Sequence, residues 1–449
     1  MNLDKIFNPS SIAIIGASEE ERSVGEGLVK NLLTSQKKIF CVNPFRKKVF
    51  QMDCFGKITD IKESVDLAIV AVPAPAVLDV IEECCQKKVK GIIVISSGFQ
   101  ETGEEGRKRE EKMKEIVERA GIPLIGPNCL GIINLSNNLN ASFASALPQK
   151  GNLAFLSQSG SLANALIDKS LEFNLGFSKI VSYGNEAQVD LPQLLSYLQD
   201  DKETKAILLY LEGVKRGREF FETAREVSRH KPIVVLKAGR GKVGEKAVST
   251  HTGSLVGNYE TYQAVFKQAG LIEVDSLEEL LDIGKALSFT QNFKNGIGVI
   301  TNGGGLGVLA VDFCEKLGVE VSELSKETKE ALSKDKRLDK ILIKSNPLDI
   351  MGDALSERYE AGLRCFLGAR EINGVLVMQS TQIMTEPIKN AKIIGEMKKE
   401  FPAKPIVCCF VGGPLVKDAV AYLEENRIPN YSDPKRAIKA IKSLILCFQ

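Results

Sequence analysis

Short runs of β-branched and other apolar residues alternate with amphipathic helical stretches along almost the whole chain. This alternation is typical of parallel α/β units, in which buried strands are joined by crossover helices. The first elements that it predicts are strand 11–18, helix 28–33, strand 38–44, strand 66–73, helix 76–87, strand 91–99, helix 101–120 and strand 123–127. We therefore predict a Rossmann-like doubly wound domain at 1–145, followed by a turn-rich segment at 147–152.

The remainder of the chain contains two similar units. Residues 153–166 and 298–310 both read as a strand, a small-residue turn and a helix. Residues 231–239 and 404–413 both read as a buried strand that ends at a glycine turn. A repeat of this kind predicts one fold used twice, with a longer insertion in the second copy. The predicted domains are 146–291 and 292–449.

Composition and charge narrow the classes of function. The 59 Lys and Arg residues nearly balance the 57 Asp and Glu residues, so the net charge of +2 gives no reason to expect nucleic-acid or membrane binding. No apolar run reaches the ~18–20 residues of a membrane span. The first residues also lack a basic stretch followed by an apolar core, so they do not read as a secretory signal. The sequence predicts a cytoplasmic protein.

The ten cysteines lie scattered through apolar stretches without the paired spacing of a metal site. In a chain of this size they are typical of reduced, buried thiols. We predict no zinc site and no other metal site on this chain.

The first strand-to-helix turn runs from Gly16 to Gly27 and begins Gly16, Ala17, Ser18. It is longer than a dinucleotide fingerprint, and the second strand ends at Asn43 with no acidic residue to hold a ribose. Arg46 and two lysines follow instead, which favours a ligand with an extra phosphate, such as CoA or NADP. The alternative is a tight turn without a ligand.

Other strand ends of the same sheet would converge on this edge, where ligands of open α/β sheets bind. The candidate residues there are Val72, Pro73, Ser96, Ser97 and Asn128. Taken singly, the prolines in these segments are also explained as strand terminators.

Ser159, Gly160 and Ser161 stand between a predicted strand and a predicted helix. The backbone N–H groups and the dipole of a helix N-terminus form a natural cradle for a phosphate or an oxyanion. An ordinary serine N-cap is the alternative.

His251 lies in a polar segment of small residues, after a Gly- and Lys-rich loop at 239–246. Structural histidines are usually found within an apolar pattern, whereas a neutral imidazole in such a segment can serve as a nucleophile. A hinge or a cap is the alternative. The other histidine, His230, is predicted to cap a helix end.

Glu212 follows a strongly apolar strand, so its carboxylate is expected to point into the crevice at the sheet edge. There it could accept the second N–H of an imidazole and fix the tautomer that attacks. A solvent-exposed acid at a strand end is the alternative.

With these residues the chain resembles the α subunit of ADP-forming acetyl-CoA (acyl-CoA) synthetases, within the succinyl-CoA synthetase superfamily. The motifs that carry the resemblance are G-A-S at 16–18, G-P-N-C-L-G at 126–131, L-S-Q-S-G-S at 156–161, S-Y-G-N-E-A at 182–187, Y-L-E-G at 210–213 and H-T-G-S-L at 251–255. Two departures are visible, a Thr before the histidine where Ser is common and Gln188 where Asp is common. Gln188 suggests an altered preference for the acyl group.

The resemblance implies a Rossmann-like CoA-binding domain followed by two flavodoxin-like domains. It also implies that His251 is phosphorylated, that Glu212 supports the phosphoimidazole and that the turn at Ser159 grips phosphate. Residues 16–18, Arg46, Ser96, Ser97 and Asn128 would line the CoA site. The implied reaction converts acyl-CoA, ADP (or GDP) and phosphate into a carboxylic acid, ATP (or GTP) and CoA.

No Walker A segment or convincing ATP-grasp pattern occurs in the chain. We therefore expect the nucleotide and its Mg²⁺ to bind mainly to an ATP-grasp β subunit, in an αβ or α₂β₂ complex. Two rival functions remain, an NADP-dependent oxidoreductase and a non-catalytic CoA-binding regulatory protein. The first leaves the His251 and Ser159 segments unexplained, and the second would be expected to lack the histidine.

Overall fold

The computed structural model describes residues 1–252, 257–290 and 293–447, and the side chains of all of these except 249–252. The chain forms two compact units, Met1–Leu280 and Leu281–Gln449. Within the described residues, no helix has the length and apolar character needed to cross a membrane.

The first sheet of unit 1 is built mainly from short, fully buried parallel strands. Its strands are β1 (Ser11–Ile15), β2 (Lys38–Val42), β3 (Lys48–Val49), β4 (Met52–Phe55), β5 (Leu67–Val70), β6 (Gly91–Val94) and β7 (Leu124–Ile125). They run in the order β3-β4-β2-β1-β5-β6-β7, and the β3–β4 pair is antiparallel. The helices of this part are α1 (Asp4–Phe7), α2 (Val24–Leu33), α3 (Ala74–Lys87) and α4 (Glu104–Ala120). Strand order reverses beside β1, which is where such sheets bind ligands.

The second sheet of unit 1 has the order β14-β13-β12-β10-β11-β8-β9. Its strands are β8 (Gly131–Asn134), β9 (Leu139–Ser142), β10 (Gln149–Ser157), β11 (Gly176–Ser182), β12 (Ala206–Leu211), β13 (Ile233–Lys237) and β14 (Ile272–Val274). The helices are α5 (Gly160–Glu172), α6 (Leu191–Gln199), α7 (Gly217–Ser228), α8 (Lys242–Thr252) and α9 (Tyr259–Ala269). Helix α10 (Leu277–Phe289) begins in unit 1 and ends in unit 2.

Unit 2 contains a parallel sheet with the order β16-β15-β17-β18. Its strands are β15 (Ile297–Thr301), β16 (Leu348–Asp349), β17 (Gly374–Ser380) and β18 (Ile406–Val411). The helices are α11 (Gly304–Leu317), α12 (Lys326–Lys334), α13 (Ser356–Gly368), α14 (Pro387–Glu400), α15 (Lys417–Glu425) and α16 (Pro434–Cys447).

The two predicted copies share their topology. Strands β10 to β13 are ordered β13-β12-β10-β11, and strands β15 to β18 are ordered β18-β17-β15-β16. In both sets of four strands, the order across the sheet is therefore fourth, third, first, second along the chain. The predicted α/β fold and the repeated unit are confirmed, whereas the boundaries 1–145, 146–291 and 292–449 stay a prediction.

Two local expectations differ from the structure. Strands β8 and β9 lie within the predicted first domain but join the second sheet, where β8 pairs antiparallel with β11. The predicted loop at 239–246 becomes helical at Lys242, and the good helix formers Glu245, Lys246 and Ala247 lie in this helix.

Candidate functional site

A cavity of about 650 Å³ lies between the carboxyl edge of the first sheet and the start of helix α5, within unit 1. Residues that follow β5, β6 and β7 form one wall, and the first turn of α5 forms another. The cavity thus joins eight sequence-predicted positions, namely Val72, Pro73, Ser96, Ser97, Asn128, Ser159, Gly160 and Ser161. Val24, Leu130, Phe143, Gln158 and Asn164, which were not predicted as site residues, also line it.

The predicted turn at Gly16, Ala17 and Ser18 lies at the neighbouring strand end and is not among the described residues that line this cavity. Gly16 has φ +95°, and a Cβ there would lie 2.3 Å from the main-chain oxygen of Ala71. Only glycine fits this close approach of the turn to β5. The tight-turn interpretation is therefore correct for Gly16, and it leaves open whether the turn also contacts a ligand.

Asn43 and Arg46 follow β2 at the same sheet edge. The Asn43 side chain donates a 2.9 Å hydrogen bond to the main-chain oxygen of Ala17, so it ties the first turn to β2. The guanidinium of Arg46 lies 3.9 Å from the carboxylates of both Glu19 and Glu20. These acids neutralise part of the positive charge that the sequence places after β2.

Helix α5 begins at Gly160 with Ser159 as its N-cap, and the Ser159 hydroxyl accepts a 3.3 Å hydrogen bond from the N–H of Leu162. The N-cap interpretation is therefore correct. It is compatible with the cradle, because the N–H groups of Gly160 and Ser161 belong to the first turn and have no intrahelical acceptor. This helix start faces the cavity.

Glu212 is 6% exposed, which excludes a solvent-exposed acid at the strand end. Its carboxyl group accepts a hydrogen bond from Tyr210. Burial raises the pKa of that phenol, and the charge of Glu212 and this hydrogen bond raise it further. Its main-chain N–H donates to Oε1 of Gln158, and its main-chain oxygen accepts from Nζ of Lys237 at 2.9 Å. Glu212 is thus held at both sides of its backbone.

Glu186 is a buried carboxyl near Glu212 and Gln158 that the sequence interpretation did not single out, although the motif S-Y-G-N-E-A contains it. It is 5% exposed, and its backbone has φ +53°, a conformation that is rare outside glycine. Burial raises the pKa of Glu186 to about 7, although Lys215 acts in the opposite direction. A buried acid that titrates near neutral pH is a typical feature of a functional site.

Lys237 was also missed, since a lysine at a strand end usually reaches solvent. Here it is 2% exposed, and its Nζ lies 4.6 Å from the centre of the Tyr262 ring. Burial lowers the pKa of Lys237 to about 8, although Glu212 raises it. The apolar run at 233–236, which directly precedes Lys237, was the feature of the sequence that could have indicated its burial.

The His251 side chain lies outside the described residues, and helix α8 (Lys242–Thr252) includes its position. His230 follows helix α7, and its main-chain N–H donates to the oxygen of Val227 at 3.0 Å. Its imidazole is 59% exposed and lies 3.5 Å from Glu226. This agrees with the predicted place at a helix end.

Gln188 has a structural contact that bears on its predicted role. Its Oε1 accepts a 2.7 Å hydrogen bond from the main-chain N–H of Leu124 in β7. An acceptor at this position supports the last strand of the first sheet, and Asp would have to reach the same N–H with a shorter side chain. An effect of Gln188 on acyl preference stays a prediction.

The succession of domains matches known family models over most of the chain. Residues 10–134 match a CoA binding domain, residues 150–287 a succinyl-CoA ligase like flavodoxin domain, and residues 297–443 a ligase-CoA domain. The predicted order of a CoA-binding domain and flavodoxin-like domains is therefore confirmed. The fold defines a protein of the succinyl-CoA ligase class.

Individual relatives narrow the class to a family. The chain is 38% identical over 450 residues to the alpha subunit of ADP-forming acetate–CoA ligase II of Pyrococcus furiosus, which covers 99% of this chain and 97% of that protein. It is 41% identical to ADP-forming acetate–CoA ligase I of Archaeoglobus fulgidus over 98% of this chain, but spans 63% of that relative's length. The chain belongs to the family of ADP-forming acetate–CoA ligases.

A solved structure agrees with this assignment. The acetyl-coenzyme A synthetase 1 of Ca. Korarchaeum cryptofilum, in complex with phosphate and ADP, superimposes with a TM-score of 0.94 at 36% identity. The match covers 99% of this chain and 97% of that chain.

Proposed function

We propose that this chain is the CoA-binding, phosphohistidine-carrying part of a nucleoside-diphosphate-forming acyl-CoA synthetase. The overall reaction is acyl-CoA plus ADP plus phosphate to carboxylic acid plus ATP plus CoA. The proposal rests on the family membership of the chain and on the site in unit 1.

The observation that carries the proposal is the shared cavity. Strand ends of the CoA-binding sheet and the N-terminus of helix α5 line the same space of about 650 Å³. A thioester held at the strand ends would have its carbonyl carbon close to a phosphate held at Gly160 and Ser161. Proximity of this kind is the main catalytic contribution in acyl and phosphoryl transfer.

The reaction proceeds in three steps. An oxygen of inorganic phosphate attacks the thioester carbon, the C–S bond breaks, and CoA leaves as a thiolate that takes up a proton. The neutral imidazole of His251 then attacks the phosphorus of the acyl phosphate, and the carboxylate leaves. Finally an oxygen of the terminal phosphate of ADP attacks the phosphohistidine, which yields ATP and restores His251.

Two groups of this chain support these steps. Helix α5 stabilises the charge on the phosphoryl oxygens through its N–H groups and its dipole. Glu212 accepts the second imidazole N–H, so that the other nitrogen carries the lone pair that attacks. Its burial strengthens this interaction because the local dielectric constant is low.

The nucleotide site is assigned to a partner that carries an ATP-grasp domain, in an αβ or α₂β₂ complex. Relatives of nearly the same length are called alpha subunits. In two relatives that are named as ligases without a subunit designation, the chain spans 63% of the length. The remaining third of those proteins is long enough to contain a nucleotide-binding domain.

Mg²⁺ is assigned to the nucleotide on that partner. Among the described residues, no group of His, Cys, Asp and Glu side chains could hold a metal ion. The described residues therefore offer no donor set of three or more such side chains for it.

The test of the proposal compares the chain alone with the chain assembled with its nucleotide-binding partner. The chain alone should bind CoA, should not bind ADP appreciably, and should make no ATP from acyl-CoA, ADP and phosphate. Addition of the partner should start ATP formation. ATP formation by the chain alone, with contaminating partner excluded by mass spectrometry, would overturn the assignment, as would absorbance changes that report NADP turnover.

A further inference from the structure

A row of polar side chains crosses the carboxyl edge of the second sheet. Strands β13, β12, β10 and β11 are neighbours in that order, and Lys237, Glu212, Gln158 and Glu186 lie at or just after their ends. Hydrogen bonds join neighbouring residues of the row. Nζ of Lys237 donates to the main-chain oxygen of Glu212, and the main-chain N–H of Glu212 donates to Oε1 of Gln158. Nε2 of Gln158 donates to the carboxyl group of Glu186. Glu212 is the member to which the proposed function assigns a role.

Gln158 holds the main chain at Glu212 and Gly213 on one side. Its Oε1 accepts hydrogen bonds from both main-chain N–H groups, at 2.5 Å from Glu212 and 3.0 Å from Gly213. Its Nε2 donates to the main-chain oxygen of Gly213 at 2.9 Å. Because Gln158 directly precedes Ser159, this contact also joins Glu212 to the start of helix α5.

Lys237 holds the same peptide from the other side. Its Nζ donates to the main-chain oxygens of Glu212, at 2.9 Å, and of Ala238. The ring of Tyr262 covers the ammonium group, and the Tyr262 hydroxyl accepts a 3.1 Å hydrogen bond from the main-chain N–H of Val214. Burial of a lysine is costly unless its ammonium group is hydrogen-bonded or paired, and the two main-chain oxygens supply hydrogen bonds here.

Glu186 sets the orientation of the Gln158 amide. One carboxyl oxygen accepts from Gln158 Nε2 at 3.4 Å, and the other accepts from the N–H of Leu191 at 3.1 Å. Lys215 donates to the main-chain oxygen of Glu186 at 3.0 Å and so holds its left-handed backbone. Non-glycine residues in this conformation cluster at functional sites, where the surroundings impose it.

We propose that Gln158 and Lys237 are positioning residues that hold the main chain of Glu212 in place for its contact with the imidazole of His251, and that Glu186 orients Gln158. This inference rests on the proposed function and extends it from Glu212 to the residues behind it. The row should affect phosphoryl transfer to the histidine. Of its four members, Gln158 is the one that also lines the cavity proposed for CoA, among the described residues.

The experiment measures phosphorylation of the chain by acyl phosphate, together with CoA affinity, in Gln158→Met and Lys237→Met. Both variants keep side-chain length but lose every hydrogen bond to the Glu212 main chain. Displacement of a catalytic group by about 1 Å costs on the order of 100-fold, so we expect the phosphorylation rate to fall at least ~10-fold. CoA affinity in Lys237→Met should stay within about twofold, since Lys237 is not among the described residues that line the cavity. Gln158 does line the cavity, so unchanged CoA affinity is expected of Lys237→Met only.

Lys231→Met and Asp201→Asn are the matched controls. Lys231 also donates to main-chain oxygens, those of Leu198 and Asp201, but it lies at the amino end of β13. Asp201 accepts hydrogen bonds from Lys179 and Thr204 at that same sheet edge. A general loss of stability would affect these variants equally, whereas loss of positioning would not.

The exchange of Gln158 and Glu186 tests the row even if single variants fold poorly. In Glu186→Gln, the single amide oxygen replaces two carboxyl oxygens that accept from Nε2 of Gln158 and from the N–H of Leu191. In Gln158→Glu, two carboxylates lie next to each other and repel. In the double variant Q158E/E186Q, the amide at 186 can donate to the carboxylate at 158 and still accept from Leu191. The hydrogen bond to the Gly213 oxygen stays lost, so the recovery is partial. If the two substitutions acted independently, the two fold-losses in phosphorylation rate would multiply. The rate of the double variant should be at least ~5-fold higher than that expectation.

The outcomes separate the two hypotheses. If the wild-type chain does not become phosphorylated at His251, the proposed function fails. If it does, but Gln158→Met and Lys237→Met keep rates within about threefold of wild type, or the controls lose as much, the positioning role is contradicted. If the fold-losses of the two single variants simply multiply in Q158E/E186Q, Glu186 does not orient Gln158, and that part of the proposal is contradicted.

Discussion

Lys237 and Glu212 lie at the ends of adjacent strands, and Nζ of Lys237 donates a 2.9 Å hydrogen bond to the main-chain oxygen of Glu212. The buried cation therefore contacts the peptide of the acid and leaves the carboxyl group to other partners, of which Tyr210 is one. A carboxylate with a fixed backbone can accept a hydrogen bond from an imidazole without first being ordered. This arrangement underlies the first prediction.

Replacement of Glu212 by Gln should slow phosphorylation of the chain by roughly 100-fold, because an amide does not balance the charge of an imidazolium. The rate of label incorporation from acyl phosphate measures the effect. Glu222→Gln is the matched control, since Glu222 is an exposed acid on helix α7 that pairs with Arg218. An unchanged rate in Glu212→Gln would remove Glu212 from the mechanism.

Arg46→Ala should weaken CoA binding about 10-fold, by loss of a charge-assisted contact with the 3′-phosphate. Binding of 3′-dephospho-CoA should hardly change, and titration calorimetry with both ligands measures the difference. For this contact, Arg46 must turn from Glu19 and Glu20, whose carboxylates lie 3.9 Å away. Lys112→Ala, on the exposed face of α4, is the control. Equal losses for both ligands would show that Arg46 does not read the 3′-phosphate.

Ser161→Asp should separate helix stability from phosphate binding. An acid in the first turn of α5 interacts favourably with the helix dipole, so thermal stability should be maintained or rise. The same negative charge would repel phosphate at the cavity, and the KM for phosphate should rise at least ~10-fold. Ser161→Asn, of nearly equal shape but neutral, is the control. If the KM for phosphate rises equally in both, the effect is steric and the cradle is not supported.

The pH dependence of stability should report Glu186. Its pKa in the folded chain, about 7, lies above the ordinary value of 4.5, so its contribution to stability is full below 4.5 and is lost as pH rises to 7. The loss amounts to at most about 3 kcal/mol. Glu186→Gln cannot titrate at this position. The unfolding temperature of the variant minus that of wild type should therefore increase as the pH rises from 5 to 8. Calorimetric scans at several pH values measure this, and parallel curves would contradict the buried, proton-binding carboxyl.

The sequence predicted the strand ends well because apolar runs that stop at small or polar residues mark them directly. Val72, Ser96, Asn128 and Ser159 were found in this way, and the structure brings them to one cavity. The matches between 153–166 and 298–310 and between 231–239 and 404–413 predicted the repeated unit. Its shared strand order follows because equivalent crossovers place equivalent strands in the same order.

Lys237 and Glu186 could not be predicted in the same way. Their burial depends on long-range packing. The ring of Tyr262 covers Lys237, and the side chain of Gln158 contacts Glu186. Neither contact leaves a local periodic signal. Strands β8 and β9 were missed for a similar reason, because the sheet that an antiparallel pair joins is decided by its partner β11.

The most direct test of the central claim is the site of covalent phosphate. The chain, assembled with its nucleotide-binding partner, is incubated with labelled acyl phosphate, or with labelled ATP and Mg²⁺, in wild type and in His251→Ala and His230→Ala. These are the only two histidines in the sequence, and His230 is an exposed residue after helix α7.

Wild type and His230→Ala should carry acid-labile, base-stable label that mass spectrometry maps to His251, and His251→Ala should carry none. Label that persists in His251→Ala, or that maps to His230, would contradict the account.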